Sequence, residues 1–404
     1  TLSAACSVIT AAHPLTKTYT KIDGVIIKAA AAQMTAGIAH RVSVNSATEL
    51  AQMLNRLTTN QALMHGVFDC DQATIYSRSR YEQLSDKTNA TTRTNDATRW
   101  NQGGGILVLD YDAPKTGQAW QLDHLISVIS EQLPLGQLAY VTAFSSSSYI
   151  FDGEQQYTGS KGLRIYILVQ DATDIPRAGK VLFDRLWLAG YGHYELSAAG
   201  SLLERSVIDA SVWQTSRLDF ASGAACISPL SQRRPAAAAH DGAFLDTKTA
   251  LPDLDPEQAK RLAELKAAAK QAITPQAERI RGVYIKDRAK QQAKRETPQG
   301  ANPERLAVIE KQIERSLDST FLHADWLVML DDGTVVSIAE IYANRAKYHC
   351  ATAKDPIEHD YNDFHTCAII YTDRNSVAIV SQAHGKRTHT CLNTLHDDKP
   401  VFSI

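Results

Sequence analysis

The feature that most constrains this chain is an aliphatic run ending on two carboxylates, Ile106-Leu107-Val108-Leu109-Asp110-Tyr111-Asp112. Four consecutive aliphatic residues indicate a strand covered on both faces. Because side chains alternate along a strand, Asp110 and Asp112 point to the same side. Two carboxylates so close repel each other unless a cation lies between them, and hard divalent ions prefer carboxylate oxygens. The run predicts a metal site; the alternative is a strand ending in a polar turn at Pro114.

A third carboxylate and a basic turn follow along the chain. Residues 206–209 form another short apolar run, predicted to be a strand, that ends on Asp209. Between the two runs, residues 159–166 form a glycine-containing turn that leads into a predicted strand. Glycines let backbone N–H groups approach phosphate oxygens, and Lys161 and Arg164 add positive charge. This order of segments suits two-metal phosphoryl or nucleotidyl transfer, whereas the alternative for the turn is an ordinary hairpin with surface cations.

The bulk composition sets the class of protein. The chain has 404 residues, of which 44% are hydrophobic and 21% are charged, so we expect a soluble α/β (α+β) protein of two or three domains. Its net charge of -2 means that nucleic acid can be bound only by a local basic patch. No segment is apolar enough to span a membrane. Six scattered cysteines without a CxxC pair predict reduced thiols and a cytoplasmic location.

Composition and periodicity predict three parts. Residues 1–247 alternate between helical and strand patterns, residues 248–318 form a helical, partly basic connector, and residues 319–404 form a small α+β unit. Helices are predicted at 47–57, 256–273 and 304–317. Hairpins are predicted at 326–338, around Asp331-Asp332-Gly333, and at 368–380.

The connector contains a basic run, residues 279–295, with seven basic residues against one acidic residue, Asp287. A solvated helix face explains such a run, and so does a surface that contacts phosphates. On the second interpretation, the candidate nucleic-acid-binding residues are Arg279, Arg281, Lys286 and Arg288.

Other motifs have weaker functional support. Histidines and cysteines crowd the last hundred residues, but without the spacing of a structural zinc site. They are His349, Cys350, His359, His365, Cys367, His384, His389 and Cys391. The chain has no GxxxxGK[ST] motif and therefore no helicase motor of its own. Ser145 to Ser148 lack a His–Asp arrangement and are interpreted as a loop near the cleft.

These segments resemble the archaeo-eukaryotic primase superfamily, in particular primase-polymerases of phages, plasmids and integrated elements. Leu109-Asp110-Tyr111-Asp112 is similar to the first motif, Ser160-Lys161-Gly162-Leu163-Arg164 stands in place of the second, and Ile208-Asp209 is similar to the third. The likeness covers residues 63–247, including Arg93-Thr94 and segments 186–190, 199–200 and 217–220. Residues 355–356 and 381–385 resemble, less specifically, the segment before the helicase domain of primase-helicases.

The resemblance implies a catalytic core at residues 1–247 with an RRM-like mixed sheet. It implies a primase or polymerase that makes primers on single-stranded DNA from NTPs or dNTPs. Asp110, Asp112 and Asp209 would hold two Mg²⁺ or Mn²⁺ ions, and Ser160, Lys161 and Arg164 would bind the triphosphate. A replicative helicase is the implied partner, either in trans or as a further domain.

One position departs from the family pattern. Arg164 stands where the family most often has histidine. Because arginine stays protonated at any working pH, Arg164 can act as a clamp for phosphate but not as a proton shuttle.

Two rival functions are also compatible with these residues. One is a replication initiator or origin-binding protein whose polymerase site is vestigial. The other is a metal-dependent nuclease that uses the same three carboxylates for hydrolysis. The basic turn favours a triphosphate substrate, because hydrolysis of a diester needs no triphosphate cradle.

Overall fold

The structure, a computed structural model, describes residues 2–30, 34–114, 118–296, 302–373 and 376–394. It has mixed α+β architecture with several separate sheets, which confirms the predicted class. The chain forms two compact units, one of residues 1–192 with 205–265, the other of residues 193–204 with 266–404. The predicted division had placed boundaries after residues 247 and 318. Within the described residues, every helix is too short or too polar to cross a bilayer.

Short helices lie between some of the strands in the first part of the chain. In chain order the strands are β1 (Ala4–Ala11), β2 (Lys17–Ile22), β3 (Val25–Ala30), β4 (Ala36–Val44), β5 (Gln61–Met64), β6 (Gln72–Tyr76), β7 (Ala90–Thr92), β8 (Gly105–Asp112), β9 (Tyr140–Phe144), β10 (Ile150–Asp152), β11 (Gln155–Gln156), β12 (Gly162–Val169), β13 (His193–Leu196), β14 (Leu202–Arg205), β15 (Leu218–Asp219), β16 (Ala225–Cys226), β17 (Leu230–Gln232) and β18 (Ala238–His240). The helices are α1 (Ala47–Arg56), α2 (Arg78–Glu82), α3 (Leu122–Ser130), α4 (Ile175–Leu186) and α5 (Thr247–Ala250).

Two sheets build the core of the first unit. One has the strand order β15-β5-β1-β4-β6-β7, and the other is antiparallel with the order β18-β9-β12-β8. Alternate residues of β8, Ile106 and Val108, share one buried cluster with Tyr166 of β12 and with Cys6 and Val8 of β1. The next residue in that row of β8 is Asp110, so a carboxylate stands where the apolar row ends.

Helix α1 covers the same core. Its buried positions Ala47, Leu50, Ala51 and Leu54 follow the helical repeat. The Ser46 side chain caps it by accepting a hydrogen bond from the N–H of Glu49 at 3.1 Å. The helix predicted at 47–57 is therefore confirmed.

Strand pairing brings acidic and basic segments together. In the antiparallel register of β8 and β12, Asp110 lies opposite Arg164 and Asp112 lies opposite Gly162. The strand predicted at 206–209 is wrong, because that segment is a bend between β14 and a 3-10 turn. Asp209 caps this turn, Ala210–Val212, through a hydrogen bond from the Ser211 N–H to its side chain.

The second unit has its own core. Its later elements are helices α6 (Pro256–Glu296), α7 (Pro303–Asp318), α8 (Ile338–Ala343), α9 (Arg345–Tyr348) and α10 (Tyr361–Phe364), and strands β19 (Phe321–Leu322), β20 (Leu327–Met329), β21 (Val335–Ser337), β22 (Thr352–Ala353), β23 (Ala368–Tyr371), β24 (Val377–Ser381) and β25 (Arg387–Cys391). Helix α6 begins in the first unit. Both predicted hairpins, β20–β21 and β23–β24, and the predicted helices α6 and α7 are confirmed.

Burial on both faces of β8 gives a test of this fold. Leu109 is fully buried, whereas Ile38 on β4 is 40% exposed. We expect Leu109→Ala to lower the free energy of unfolding by about 2–5 kcal/mol, because the truncation leaves a cavity. Ile38→Ala, the control, should change it by less than about 1 kcal/mol. Urea titrations followed by circular dichroism measure both, and equal effects would contradict the burial of β8.

Candidate active site

Two carboxylates lie on one face at the end of β8, as the alternation of side chains predicts. Asp110 is largely enclosed, with 13% of its side chain exposed, and Asp112 is exposed. Tyr111 between them is buried and belongs to the opposite face. The end of β8 therefore presents one enclosed and one open carboxylate on the same side.

Arg164 is held between two carboxylates. Its Nε donates to Asp110 Oδ1 at 3.2 Å, and its Nη1 donates to Asp219 Oδ1. Only 8% of the residue is exposed, so these contacts are well shielded from water. The residue predicted to clamp a triphosphate is thus already engaged with Asp110 and Asp219. Its contact with a nucleotide stays a prediction.

Asp219 ties the two sheets of the first unit together. It lies on β15 in the six-stranded sheet and accepts a hydrogen bond from the Tyr166 hydroxyl of the four-stranded sheet at 2.9 Å. His65, which follows β5, lies 3.2 Å from its Oδ2. Burial alone would raise the pKa of Asp219, but Arg164 and His65 outweigh burial and hold that pKa far below its usual range. The carboxylate is therefore ionised at any ordinary pH.

The opposite balance applies to Asp110. Burial, followed by the negative charges of Asp112 and Asp219, raises its pKa from 3.8 to about 6, although Arg164 acts against this. At neutral pH the ionised Asp110 carboxylate is therefore in an unfavourable environment. Binding of a proton or a metal cation would stabilise this carboxylate.

Asp209 lies next to Asp110 through the backbone. Its N–H donates to the Asp110 carbonyl oxygen at 2.9 Å. Its carboxylate faces its own turn, where it accepts from the N–H and the hydroxyl of Ser211 at 2.8 and 2.7 Å and lies 3.4 Å from Arg217 Nη2. The backbone brings the third predicted carboxylate next to Asp110, but its side-chain oxygens are hydrogen-bonded within their own turn.

The donor chemistry fits a hard divalent ion, because three carboxylates come from adjoining backbone segments. The arrangement is not preformed. Across the described ranges, no group of three or more His, Cys, Asp or Glu side chains is arranged to hold a metal ion. Ion binding by all three residues therefore requires a rearrangement of side chains, including that of Asp209, which is now hydrogen-bonded to Ser211.

The serine loop, residues 145–148, braces the predicted phosphate-binding turn. Ser148 Oγ accepts from the N–H of Lys161 at 2.9 Å, and the N–H of Ser145 donates to the Gly162 carbonyl at 2.9 Å. The Thr158 hydroxyl donates to the Ser147 carbonyl at 2.9 Å. The serines predicted to form a loop near the cleft therefore hold the turn in shape.

The turn itself meets β8 closely at Gly162. A Cβ added there would lie 3.0 Å from the Tyr111 carbonyl oxygen and 3.1 Å from Ser145 Cβ, so the position favours glycine. The Lys161 side chain is exposed and Ser160 is half-buried. Both remain predicted nucleotide contacts.

Lys17, on β2, is a site residue that sequence reasoning missed. Its Nζ donates to Ser147 Oγ at 2.7 Å. Burial, followed by the positive charges of Arg164 and Lys28, lowers the pKa of Lys17 to about 8, although Asp112 and Asp110 act against this. Lys17 therefore shares an electrostatic environment with the acidic residues. Nothing in its local sequence indicates this, because the neighbourhood arises from folding.

The candidate nucleic-acid-binding residues of α6 divide into two pairs. Arg281 pairs with Asp318, and Arg288 donates to the Pro356 carbonyl at 3.2 Å and lies 5.1 Å from the ring centre of Trp326. This pair stabilises the second unit. The other two, Arg279 and Lys286, are exposed. Phosphate binding by these four residues stays a prediction.

The C-terminal histidines and cysteines occupy ordinary structural positions. His384 Nε2 lies 3.0 Å from Glu358 Oε2. His389 is buried, and burial lowers its pKa to about 4. Cys391 is fully buried in the core of the second unit. Each of these three residues therefore has a structural role or position within the second unit.

No protein-family model matches the chain, and no curated protein or solved structure matches it either. The functional argument therefore rests on the residues of this chain and their geometry.

The buried carboxylate of Asp219 should matter greatly for stability. We expect Asp219→Asn to lower the free energy of unfolding by about 3–5 kcal/mol, because asparagine lacks the negative charge beside the buried Arg164 and has one acceptor oxygen where the carboxylate uses two, for Arg164 and Tyr166. Asp152→Asn, which removes the partly exposed partner of Lys21, is the control and should cost less than about 1 kcal/mol. Urea unfolding measures both values. Similar losses would show that the network around Arg164 contributes little.

The raised pKa of Asp110 predicts a pH effect on stability. Because the folded state favours its protonated form, wild type should lose up to about 3 kcal/mol of stability as pH rises from 3.8 to about 6, relative to Asp110→Asn. The comparison is made by thermal and urea unfolding at several pH values with a chelator present. A stability difference between the two proteins that does not change with pH would contradict the assignment.

Proposed function

We propose that this chain is a DNA-templated nucleotidyl transferase, a primase-polymerase that makes primers on single-stranded DNA in replication of a mobile element. One observation carries the proposal. Asp110 and Asp112, at the end of a buried strand, lie in register with Arg164 and Gly162 of the basic turn. Acidic groups for metal ions and a glycine-containing turn for phosphates are thereby side by side, as nucleotidyl transfer needs.

The order of elements supports a core of the RRM-like kind. Apart from β10 and β11, which belong to another sheet, the chain runs β8, α3, β9, β12, α4. The first strand, β8, lies beside the third, β12, which lies beside the second, β9. This is the β-α-β-β-α order of split βαβ folds. The fourth strand, β18, pairs with β9, whereas an RRM-like sheet carries its fourth strand beside the first.

Asp110, Asp112 and Asp209 would hold two Mg²⁺ or Mn²⁺ ions. Bound there, the ions would neutralise the triphosphate and lower the pKa of the attacking hydroxyl. Arg164 would keep the Asp110 carboxylate in a fixed orientation through its Nε, and Asp219 would hold Arg164 in turn. Such fixed positioning supplies much of the rate acceleration in phosphoryl transfer.

Ser160, Lys161 and Arg164 would position the nucleotide, an NTP or a dNTP, on the turn that the serine loop braces. The template would be held through phosphate contacts and stacking, with exposed Arg279 and Lys286 as candidate contacts on the second unit. A replicative helicase is the proposed partner. The absence of disulfide bonds among the six cysteines supports a cytoplasmic location.

Incubation with single-stranded templates, labelled NTPs or dNTPs, and Mg²⁺ or Mn²⁺ tests the function. We expect template-dependent products from the wild type. Asp110→Asn and Asp209→Asn should lower incorporation by at least about 100-fold, because each removes a negatively charged ligand while keeping size. Asparagine at position 209 retains an oxygen that can accept the Ser211 N–H, so the turn should survive.

The control and the rival functions are tested in the same assay. Asp152→Asn, on the separate strand β10, should leave incorporation unchanged. Degradation of labelled template without incorporation would identify a nuclease. Sequence-dependent DNA binding with no incorporation would identify an initiator. Normal incorporation by Asp110→Asn would refute the metal assignment.

A further inference from the structure

Arg164 has little charge to offer a triphosphate. One guanidinium faces two carboxylates, Asp110 and Asp219. When both carboxylates are ionised, the three side chains together carry a net negative charge. Asp112 adds another beside it. An incoming triphosphate is itself strongly negative and needs additional cations besides metal ions.

Lys17 is well placed to supply one. Its ammonium group has three N–H donors, and Ser147 Oγ is its one hydrogen-bond partner among the described residues. Lys17 also forms no ion pair with any residue that the structure describes. Burial is the largest cause that lowers its pKa, so the ammonium group has lost part of its hydration and an anion bound to it would be favoured.

Ser147 connects Lys17 to the predicted phosphate-binding turn. The side chain of Ser147 accepts from Lys17, and its carbonyl accepts from the hydroxyl of Thr158, which directly precedes the turn. The neighbouring Ser148 accepts from the N–H of Lys161. The same loop therefore positions the ammonium group and the backbone of the turn.

We propose that Lys17 binds the phosphate groups of the incoming nucleoside triphosphate and is the main protein cation that does so. The proposal rests on the proposed nucleotidyl transfer and names a residue for its substrate binding. Arg164 then contributes less to phosphate binding than Lys17 and acts chiefly by positioning Asp110. Lys161, exposed on the turn, supplies a second positive charge.

Calorimetric titration with dATP, and separately with tripolyphosphate, each in the presence of Mg²⁺, tests this proposal. Lys17→Met should raise the Kd for both by on the order of tenfold or more, because a charge-assisted contact is lost. Lys17→Gln, which keeps a donor for Ser147 but no charge, should show the same loss. Lys17→Arg should restore most of the affinity.

Lys21 provides the matched control. It lies on the same strand and the same side as Lys17, four residues along, and pairs with Asp152. Lys21→Met removes an equal charge from the same hairpin, so it should leave both affinities within about twofold of wild type. Melting temperatures of all variants confirm that the first unit is folded.

The outcomes separate this inference from the function. Normal binding by Lys17→Met or Lys17→Gln, with wild type binding dATP, would overturn the role of Lys17 and leave nucleotidyl transfer standing. Equal losses in Lys17→Met and Lys21→Met would also overturn it, because only a general field effect would remain. Failure of wild type to bind dATP or to incorporate nucleotides would overturn both proposals.

Discussion

The proposed site depends on the ion pairs that the buried guanidinium of Arg164 forms with two carboxylates. Removing a charged group from water costs several kcal/mol, and only good partners offset that cost. Asp110 and Asp219 provide those partners from two different sheets. The hydroxyl of Tyr166 and the ring of His65 complete the hydrogen bonding of Asp219. The network joins the sheets and fixes a candidate metal ligand at once.

This arrangement changes the electrostatic character of the site. The two carboxylates that share Arg164 respond in opposite ways, since the pKa of Asp219 is lowered and that of Asp110 is raised. Asp219 is therefore a permanent anion that anchors the arginine. Asp110 is the carboxylate that a cation would stabilise, which suits a metal ligand better than a structural ion pair.

The second unit is organised by different contacts. Its core contains Trp326 and residues of a five-stranded sheet. Arg288 of α6 packs against that tryptophan. A basic run on a helix is thus partly structural, because long cationic side chains also cover apolar surface. The exposed members, Arg279 and Lys286, are the ones left for phosphate contacts.

Much of the local structure could be predicted from the sequence. The aliphatic run before Asp110 predicted β8, the helical pattern of residues 47–57 predicted α1, and Asp331-Asp332-Gly333 predicted the hairpin β20–β21. These predictions succeeded because periodicity and turn chemistry act over a few residues. The strand predicted at 206–209 failed, because a short apolar run has no periodicity that separates a strand from a buried bend.

The sequence by itself determined the carboxylates of β8, their common face and the basic turn that follows. Tertiary structure alone decided that Arg164 lies against Asp110, that Asp219 holds Arg164, and that Lys17 lies close enough for Arg164 to lower its pKa. These residues come from three separate sheets, which contain β8 and β12, β15, and β2, and their proximity depends on how the sheets pack. Burial and pairing of charges arise only in the folded chain, because an extended chain leaves each of these groups separate and hydrated.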